Sequence, residues 1–337
     1  MHTHRPQAAI AMEPAFADQI LTPAVRERLA RSVRLPDGAV HADPLAGAGR
    51  EVLGDAEILV TGWGCPPVDS AVLDAAPRLR SVVHTAGTVR GLITPECWSR
   101  GISVASAAAA NALPVAEYTL AMILLTNKHI LEGARELRLR RGQFEDPVYR
   151  RVPGNYRRTV GILSASLIGR RVIELLAPHD LDVLLYDPYT TPRQAEALGA
   201  RSVPLPELFA AGDVISVHTP LLPETVGLVG EAELRAMRDG ATLINTARGR
   251  VVDHDALARH LATGRIRAVL DVTDPEPLPA DSPLYALDNV LVTPHIAGSA
   301  GGELARLGDF AAQEIEHWAT HGKFAHPLQE TALAITA

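Results

Sequence analysis

The stretch RTVGILSASLIGRRVIELLAPHDLDVLLYD, residues 158–187, changes its hydrophobic period twice. Residues 160–163 form a short apolar run of strand type. Ile168, Val172, Leu175 and Leu176 then recur at the spacing of one helix face, and 181–186 is a second apolar run that ends in Asp187. Strand, turn, helix and strand in this order make a βαβ unit with a carboxylate at the tip of its second strand. Such a unit can aim helix N–H groups at a pyrophosphate, while the acid accepts hydrogen bonds from a ribose 2′-OH. The turn departs from the Gly-x-Gly-x-x-Gly that this chemistry favours, since it reads Ser164-Ala165-Ser166-Leu167-Ile168-Gly169. Only the last glycine, which lets helix and strand pack closely, is in place. Serine adds a Cβ where backbone approaches phosphate, and also a hydroxyl that can donate to it. Alone, this turn fits a purely structural βαβ unit as well as a nucleotide site.

The chain of 337 residues is long enough for two domains. An apolar fraction of 47% with few aromatics suits an α/β enzyme. The formal net charge is −7 and there is no dense basic run. Arg135, Arg138, Arg140 and Arg141 are interrupted by Glu136 and two leucines, as on a solvated helix face, so no nucleic-acid partner is expected. Cys65 and Cys97 are the only cysteines, too few for a zinc site or a disulfide framework. The apolar run near the N-terminus is short for a signal sequence, and His2 and His4 read as a frayed end rather than a metal site. No uncharged stretch reaches the roughly 18 residues of a membrane span. The expectation is a cytoplasmic protein with no membrane partner.

Before the βαβ unit, strand patterns lie at 8–12, 57–61, 81–84 and 102–105, with helical patterns at 22–31 and 68–75 between them. Loops 61–66 and 84–90 follow strands, where α/β sheets bind ligands. Asn111 is placed to cap a helix running to about residue 138, with Pro114 in its first turn. From 120 to 125 this helix is apolar on all sides, which calls for burial all round. Residues 140–157 read as an exposed loop or arm. After the βαβ unit, strands are expected at 214–217, 241–245, 267–271 and 290–292, with helices at 231–238, 253–263 and 302–321. This alternation makes a parallel, doubly wound sheet.

Three of these strands run into turns that carry chemistry. The first leads to Thr246-Ala247-Arg248-Gly249, the second to Thr273-Asp274-Pro275-Glu276-Pro277, and the last to Thr293-Pro294-His295. Strand tips on one edge of a parallel sheet share a crevice, so a cation, a carboxylate and an imidazole converge. The trio suits exchange between a 2-hydroxy acid and a 2-keto acid. Arg248 can clamp a carboxylate with its planar fork. His295 can move a proton to or from the C2 oxygen, and Glu276 can favour the charged imidazole and fix its tautomer. Each residue alone also fits a structural role: Arg248 on a surface turn, His295 satisfied by backbone, Glu276 solvated between prolines.

With these residues in view, the chain resembles the D-isomer-specific 2-hydroxyacid dehydrogenases, a phosphoglycerate dehydrogenase-like family, over roughly residues 55–322. NTARGRVVD at 245–253 is similar to the family's arginine segment, LDVTDPEPLP at 270–279 to its glutamate segment, and VTPHIAGS at 292–299 to its histidine segment. Asn111 with VAE at 115–117, and SVHTPLLPET at 216–225, resemble its cofactor-side segments.

The resemblance implies two Rossmann-like domains, with a nucleotide domain (111–299) inserted in a discontinuous substrate domain (1–110 plus 300–337). It implies Arg248, Glu276 and His295 as the catalytic set. Cofactor contacts are implied for Ser164, Ser166, Leu167, Ile168, Asp187, His218, Thr219, Pro220, Thr246, Ala247, Asp271 and His295. Substrate contacts are implied for Trp63, Ala86, Gly87, Thr88 and Arg248. Asp187, whose carboxylate would repel a 2′-phosphate, argues for NAD rather than NADP, and the resemblance implies a homodimer. Two departures stand out: the serines at 164 and 166, and Thr273 where an aromatic residue is common. Two other readings remain open, a dehydrogenase for a specialised acid such as a phosphonate-bearing one, and a nucleotide-sensing protein like the family's corepressor branch.

Overall fold

The computed structural model describes residues 5–36, 38, 40–141 and 152–334. His2, His4 and residues 142–151 of the expected arm lie outside the described residues. The chain folds as two units, Met1–Ala112 with Ser299–Ala337, and Leu113–Gly298.

The first unit is built on a parallel sheet of β1 (Ala8–Ala11), β2 (Val40–His41), β3 (Ile58–Thr61), β4 (Ser81–His84) and β5 (Ser103–Ser106), in the order β2-β1-β3-β4-β5. Every residue of β1, β3 and β4 is buried, so neither sheet face is left to solvent there. Alternation along each strand serves both faces. Ala8, Ile10, Ile58 and Val60 pack with Val25 and Leu29 of the helix Pro23–Ser32 and with Leu307 and Ile315 of the helix Leu304–His321. Ala9, Ala11, Leu59 and Val82 pack with Leu53, Val72 and Leu73 on the other side. The strand order reverses between β1 and β3, so loop 61–66 leaves the sheet at its switch point.

The second unit has seven parallel strands, β6 (Arg158–Leu163), β7 (Leu181–Tyr186), β8 (Arg201–Ser202), β9 (Val214–Val217), β10 (Thr242–Asn245), β11 (Arg267–Leu270) and β12 (Val290–Val292). Their order is β12-β11-β10-β9-β6-β7-β8. The chain winds outward from β6 to β8, returns to β9 and winds the other way. The switch point falls between β6 and β9, which brings turn 164–169 beside residues 218–220. These are the doubly wound parallel sheets that the alternating pattern predicts. The two-residue strands β2 and β8 are too short to show a period and were not expected.

The single helix expected from residue 111 to about 138 is instead two. The first, Ala108–Asn127, begins earlier than expected: Ser106 Oγ accepts from Ala108 N at 3.1 Å. Asn111 is not its cap but lies within it, with Oδ1 accepting from Ser299 N at 3.0 Å. Its C-terminal carbonyls are claimed by residues that precede β6. Asn155 Nδ2 donates to Leu124 O at 3.2 Å and Gly154 N to Asn127 O at 3.1 Å. His129 then turns left-handed, with φ 48°, and a separate helix Ile130–Arg140 follows. Burial all round does not hold within one chain either. Ala116, Thr119 and Ile123 are buried, but Leu120, Leu124 and Leu125 are only half-buried and Ala121 is exposed. No residue of Ile130–Arg140 is buried, and Ile130, Leu131, Leu137 and Leu139 stand exposed.

Two histidines at strand tips are buried. His84 Nδ1 lies 3.0 Å from Thr61 Oγ1, and His218 Nε2 lies 2.9 Å from Ser216 Oγ. Burial pushes the pKa of His84 from 6.5 down to about 4 and that of His218 down to about 3. Below pH 6.5 the unfolded chain therefore binds protons that the folded chain refuses. The stabilisation is full above the unfolded value and is lost as pH falls through the folded ones. At about 1.4 kcal/mol per unit, His84 alone accounts for roughly 3 kcal/mol. Urea midpoints should drop as pH falls from 6.5 to 4, and the drop should be smaller in His84→Gln. The same slope in both proteins would remove His84 as a cause.

Candidate active site

Loops after β10, β11 and β12 carry Arg248, Glu276 and His295 on the carboxyl edge of the second unit's sheet. Glu276 Oε1 and His295 Nδ1 are 2.5 Å apart. With Nδ1 turned to the carboxylate, Nε2 is the nitrogen left for proton exchange with a ligand. The His295 side chain is half-exposed. Its backbone has φ 55°, which a non-glycine residue keeps only where its surroundings hold it.

Asp271, just past β11 and 2% exposed, supplies that hold. Its Oδ1 accepts from Thr293 Oγ1 at 2.6 Å and from Ile296 N at 2.8 Å, and its Oδ2 from Ala297 N at 2.9 Å. The carboxylate thus binds the chain on both sides of His295. The Thr293 hydroxyl, having donated to Asp271, is left to accept from Tyr118 OH at 2.8 Å. Burial raises the Tyr118 pKa, which keeps that phenol a donor. Sequence reasoning missed Tyr118 and Thr293. Tyr118 lies on a helix whose apolar period says nothing of a hydroxyl aimed at a distant loop.

Arg248 is partly buried. Burial lowers its pKa while the nearby Glu276 charge acts the other way. Its Nη1 donates to Ala247 O at 2.6 Å. Asn245 fixes the backbone here, with Nδ2 donating to Arg248 O and Oδ1 accepting from Ala247 N, both at 3.0 Å. Thr246 Oγ1 meets Thr119 Oγ1 at 3.2 Å.

The turn after β6 has the shape that a glycine normally supplies. Ser164 has φ 80°, and its hydroxyl reaches Thr219 Oγ1 across the switch point at 2.8 Å. At Gly169 a Cβ would lie 2.1 Å from Ser164 O, so this glycine is obligatory. Ser166 caps the helix Leu167–Leu176, its Oγ accepting from Gly169 N at 3.2 Å. The hydroxyl hydrogen remains available to a phosphate. The N–H groups of Leu167 and Ile168, in the helix's first turn, have no intrahelical acceptor. His218 Nδ1 is buried without a partner. Asp187 accepts from Ala165 N through Oδ2 and from Tyr189 N through Oδ1, both at 2.7 Å. Its remaining lone pairs can take ribose hydroxyls. Pro220 borders the same switch point. A helix N-terminus, an uncapped donor pair and a carboxylate at the second strand's tip fit a dinucleotide.

In the first unit, Trp63 packs against Phe16 with ring centroids 5.2 Å apart. The carbonyls of Ala86 and Gly87 accept from Ser106 Oγ at 3.3 and 2.5 Å, and Thr88 Oγ1 accepts from Arg90 N at 3.1 Å. The main-chain N–H groups of this loop are therefore held in place by bonds to its carbonyls.

Residues 120–297, all within the second unit, match the family described as D-isomer specific 2-hydroxyacid dehydrogenase, NAD binding domain. The chain belongs to this family. The D-3-phosphoglycerate dehydrogenase of Archaeoglobus fulgidus is 32% identical over 253 residues, 75% of this chain and 47% of that protein. The glyoxylate reductase of Korarchaeum cryptofilum is 33% identical over 253 residues, 74% of this chain and 76% of that protein. The chain spans about half the length of the phosphoglycerate dehydrogenases it matches. A crystal structure of D-lactate dehydrogenase from Aquifex aeolicus, complexed with NAD and lactic acid, superposes with a TM-score of 0.71 at 26% identity, covering 94% of this chain and 98% of that one. The D-2-hydroxyacid dehydrogenase fold thus extends over both units.

In this dehydrogenase-family chain the Asp271 clamp is open to a direct test. Asp271→Asn turns an amide NH₂ towards one of three donors. Losing charged hydrogen bonds at a buried site should lower unfolding free energy by about 2–3 kcal/mol. An unchanged urea midpoint would show that loop 293–297 does not depend on this carboxylate.

Proposed function

We propose that the protein is an NAD-dependent dehydrogenase that interconverts a small 2-hydroxy acid and its 2-keto acid. The contact between Glu276 and His295, at 2.5 Å, carries this reading. Arg248 grips the substrate carboxylate through two parallel N–H donors. In reduction, His295 Nε2 gives its proton to the C2 oxygen, and in oxidation it takes that proton back. Glu276 holds the Nδ1–H, keeps the ring oriented and supports the imidazolium. NAD, when bound, supplies the hydride acceptor or donor for C2. The second unit serves as the nucleotide domain and the first as the substrate domain. Second copies pair through the half-buried face of Ala108–Asn127 and the exposed Ile130, Leu137 and Leu139, giving a homodimer.

A panel of 2-keto acids with NADH, followed by loss of nicotinamide absorbance, tests the activity. Turnover on at least one acid is expected, and Arg248→Lys should lose most of it, because a point charge cannot reproduce the two-bond grip. Binding of NADH with no turnover on any acid would instead favour the nucleotide-sensing reading.

Preference for NAD(H) over NADP(H) rests on Asp187, whose carboxylate would repel a 2′-phosphate. Ser166 acts as cap through its oxygen and as phosphate donor through its hydrogen. Ser166→Gly should therefore weaken NADH binding by about 0.5–1.5 kcal/mol. Fluorescence titration of both cofactors into both proteins checks this. Tighter binding by the glycine variant would mean that the serine crowds the phosphate, and NADPH binding in place of NADH would sink the Asp187 assignment.

A further inference from the structure

Loop 273–277 must keep Glu276 against His295, and part of what fixes it lies outside that pair. Asp274 N donates to Nε2 of His254 at 3.2 Å. A backbone N–H can only donate, so Nε2 carries the lone pair and the ring proton sits on Nδ1. That nitrogen lies 3.1 Å from Val252 O, which can only accept. The two contacts select the same neutral tautomer. His254 is the first residue of the helix His254–Ala262, whose cap is Asp253, with Oδ1 accepting from Ala256 N at 2.9 Å. The imidazole is thereby tied to a regular element.

The same peptide is also confined by Gly249. A Cβ there would lie 1.9 Å from Thr273 O and 2.7 Å from Asp274 N. Thr273 Oγ1 donates to Pro275 O at 2.8 Å and closes the loop on itself. The Thr273–Asp274 peptide is thus pinched between the glycine that follows Arg248 and the His254 ring, shortly before Glu276.

We propose that His254 is a positioning residue for the proton-transfer pair. Its Nε2 holds the Asp274 peptide and so sets where the Glu276 carboxylate stands against His295. The assignment rests on the reading of Glu276 and His295 given above. His254 acts through the loop and makes no contact with reacting atoms.

Two substitutions separate the loop contact from the local one. His254→Gln puts an acceptor oxygen where Nε2 stands. His254→Asn keeps a donor near Val252 O but is too short to reach Asp274 N. In reduction of a keto acid accepted by the parent, the glutamine variant should keep the parent's rate. The asparagine variant should lose about tenfold in rate, because a displaced carboxylate misorients the imidazole, while KM changes little. Imidazole ¹⁵N shifts give a readout free of activity, with Nε2 unprotonated and Nδ1 protonated expected for His254 at neutral pH. A parent-like asparagine variant, equal losses in both variants, or the opposite tautomer would each overturn the proposal. A Glu276→Gln rate equal to the parent's would instead bring down the pairing itself and the role of His254 with it.

Discussion

A carboxylate buried to 2% exposure must find donors, and Asp271 finds three in one loop. An ionised group left without partners there would be strongly destabilising, so the path of residues 293–297 is dictated by that requirement. The left-handed backbone of His295 follows from it. Asp271 stands just beyond a strand whose register with β10 and β12 is fixed by a fully parallel ladder. Sheet order therefore reaches the imidazole through a single side chain. Arg248 and Glu276 stand on the same edge for the same reason, each on the loop after a neighbouring strand.

Much of this was legible in the sequence, because it follows from period. The runs at 214–217 and 290–292 coincide with β9 and β12, and the run at 160–163 is the buried end of β6. Glycine and proline marked the turns where Arg248, Glu276 and His295 sit. Contacts between side chains far apart in sequence were not legible. The break at His129 lies where Gly154 and Asn155 reach back to a helix end. Tyr118 meets Thr293, and His254 meets the Asp274 peptide, through geometry that no local pattern encodes. Asn111 looked like a cap because its residue type favours caps, yet its side chain answers a backbone N–H at Ser299.

The serines at 164 and 166 show how a broken motif can keep its shape. Ser164 adopts the backbone conformation for which glycine is preferred, at a strain of about 1–3 kcal/mol. Its hydroxyl recovers part of this through Thr219, a bond that glycine could not make. Ser166 takes the capping role that serine fills at helix starts generally, so its side chain folds back onto the helix. The glycine in place is the one whose Cβ would strike backbone, whereas at 164 and 166 a serine side chain is accommodated.

The tether between Asn155 and the end of the helix Ala108–Asn127 has a consequence for engineering. Gly154 and Asn155 fix where the chain re-enters the sheet at β6, and Arg141 N closes on Leu137 O at the far side. A substitution at Asn155 therefore acts at two places, freeing a helix carbonyl and loosening the start of the strand that leads to turn 164–169. Engineering near this helix end must keep the Asn155 amide and the Gly154 N–H if the nucleotide strand is to keep its place in the sheet.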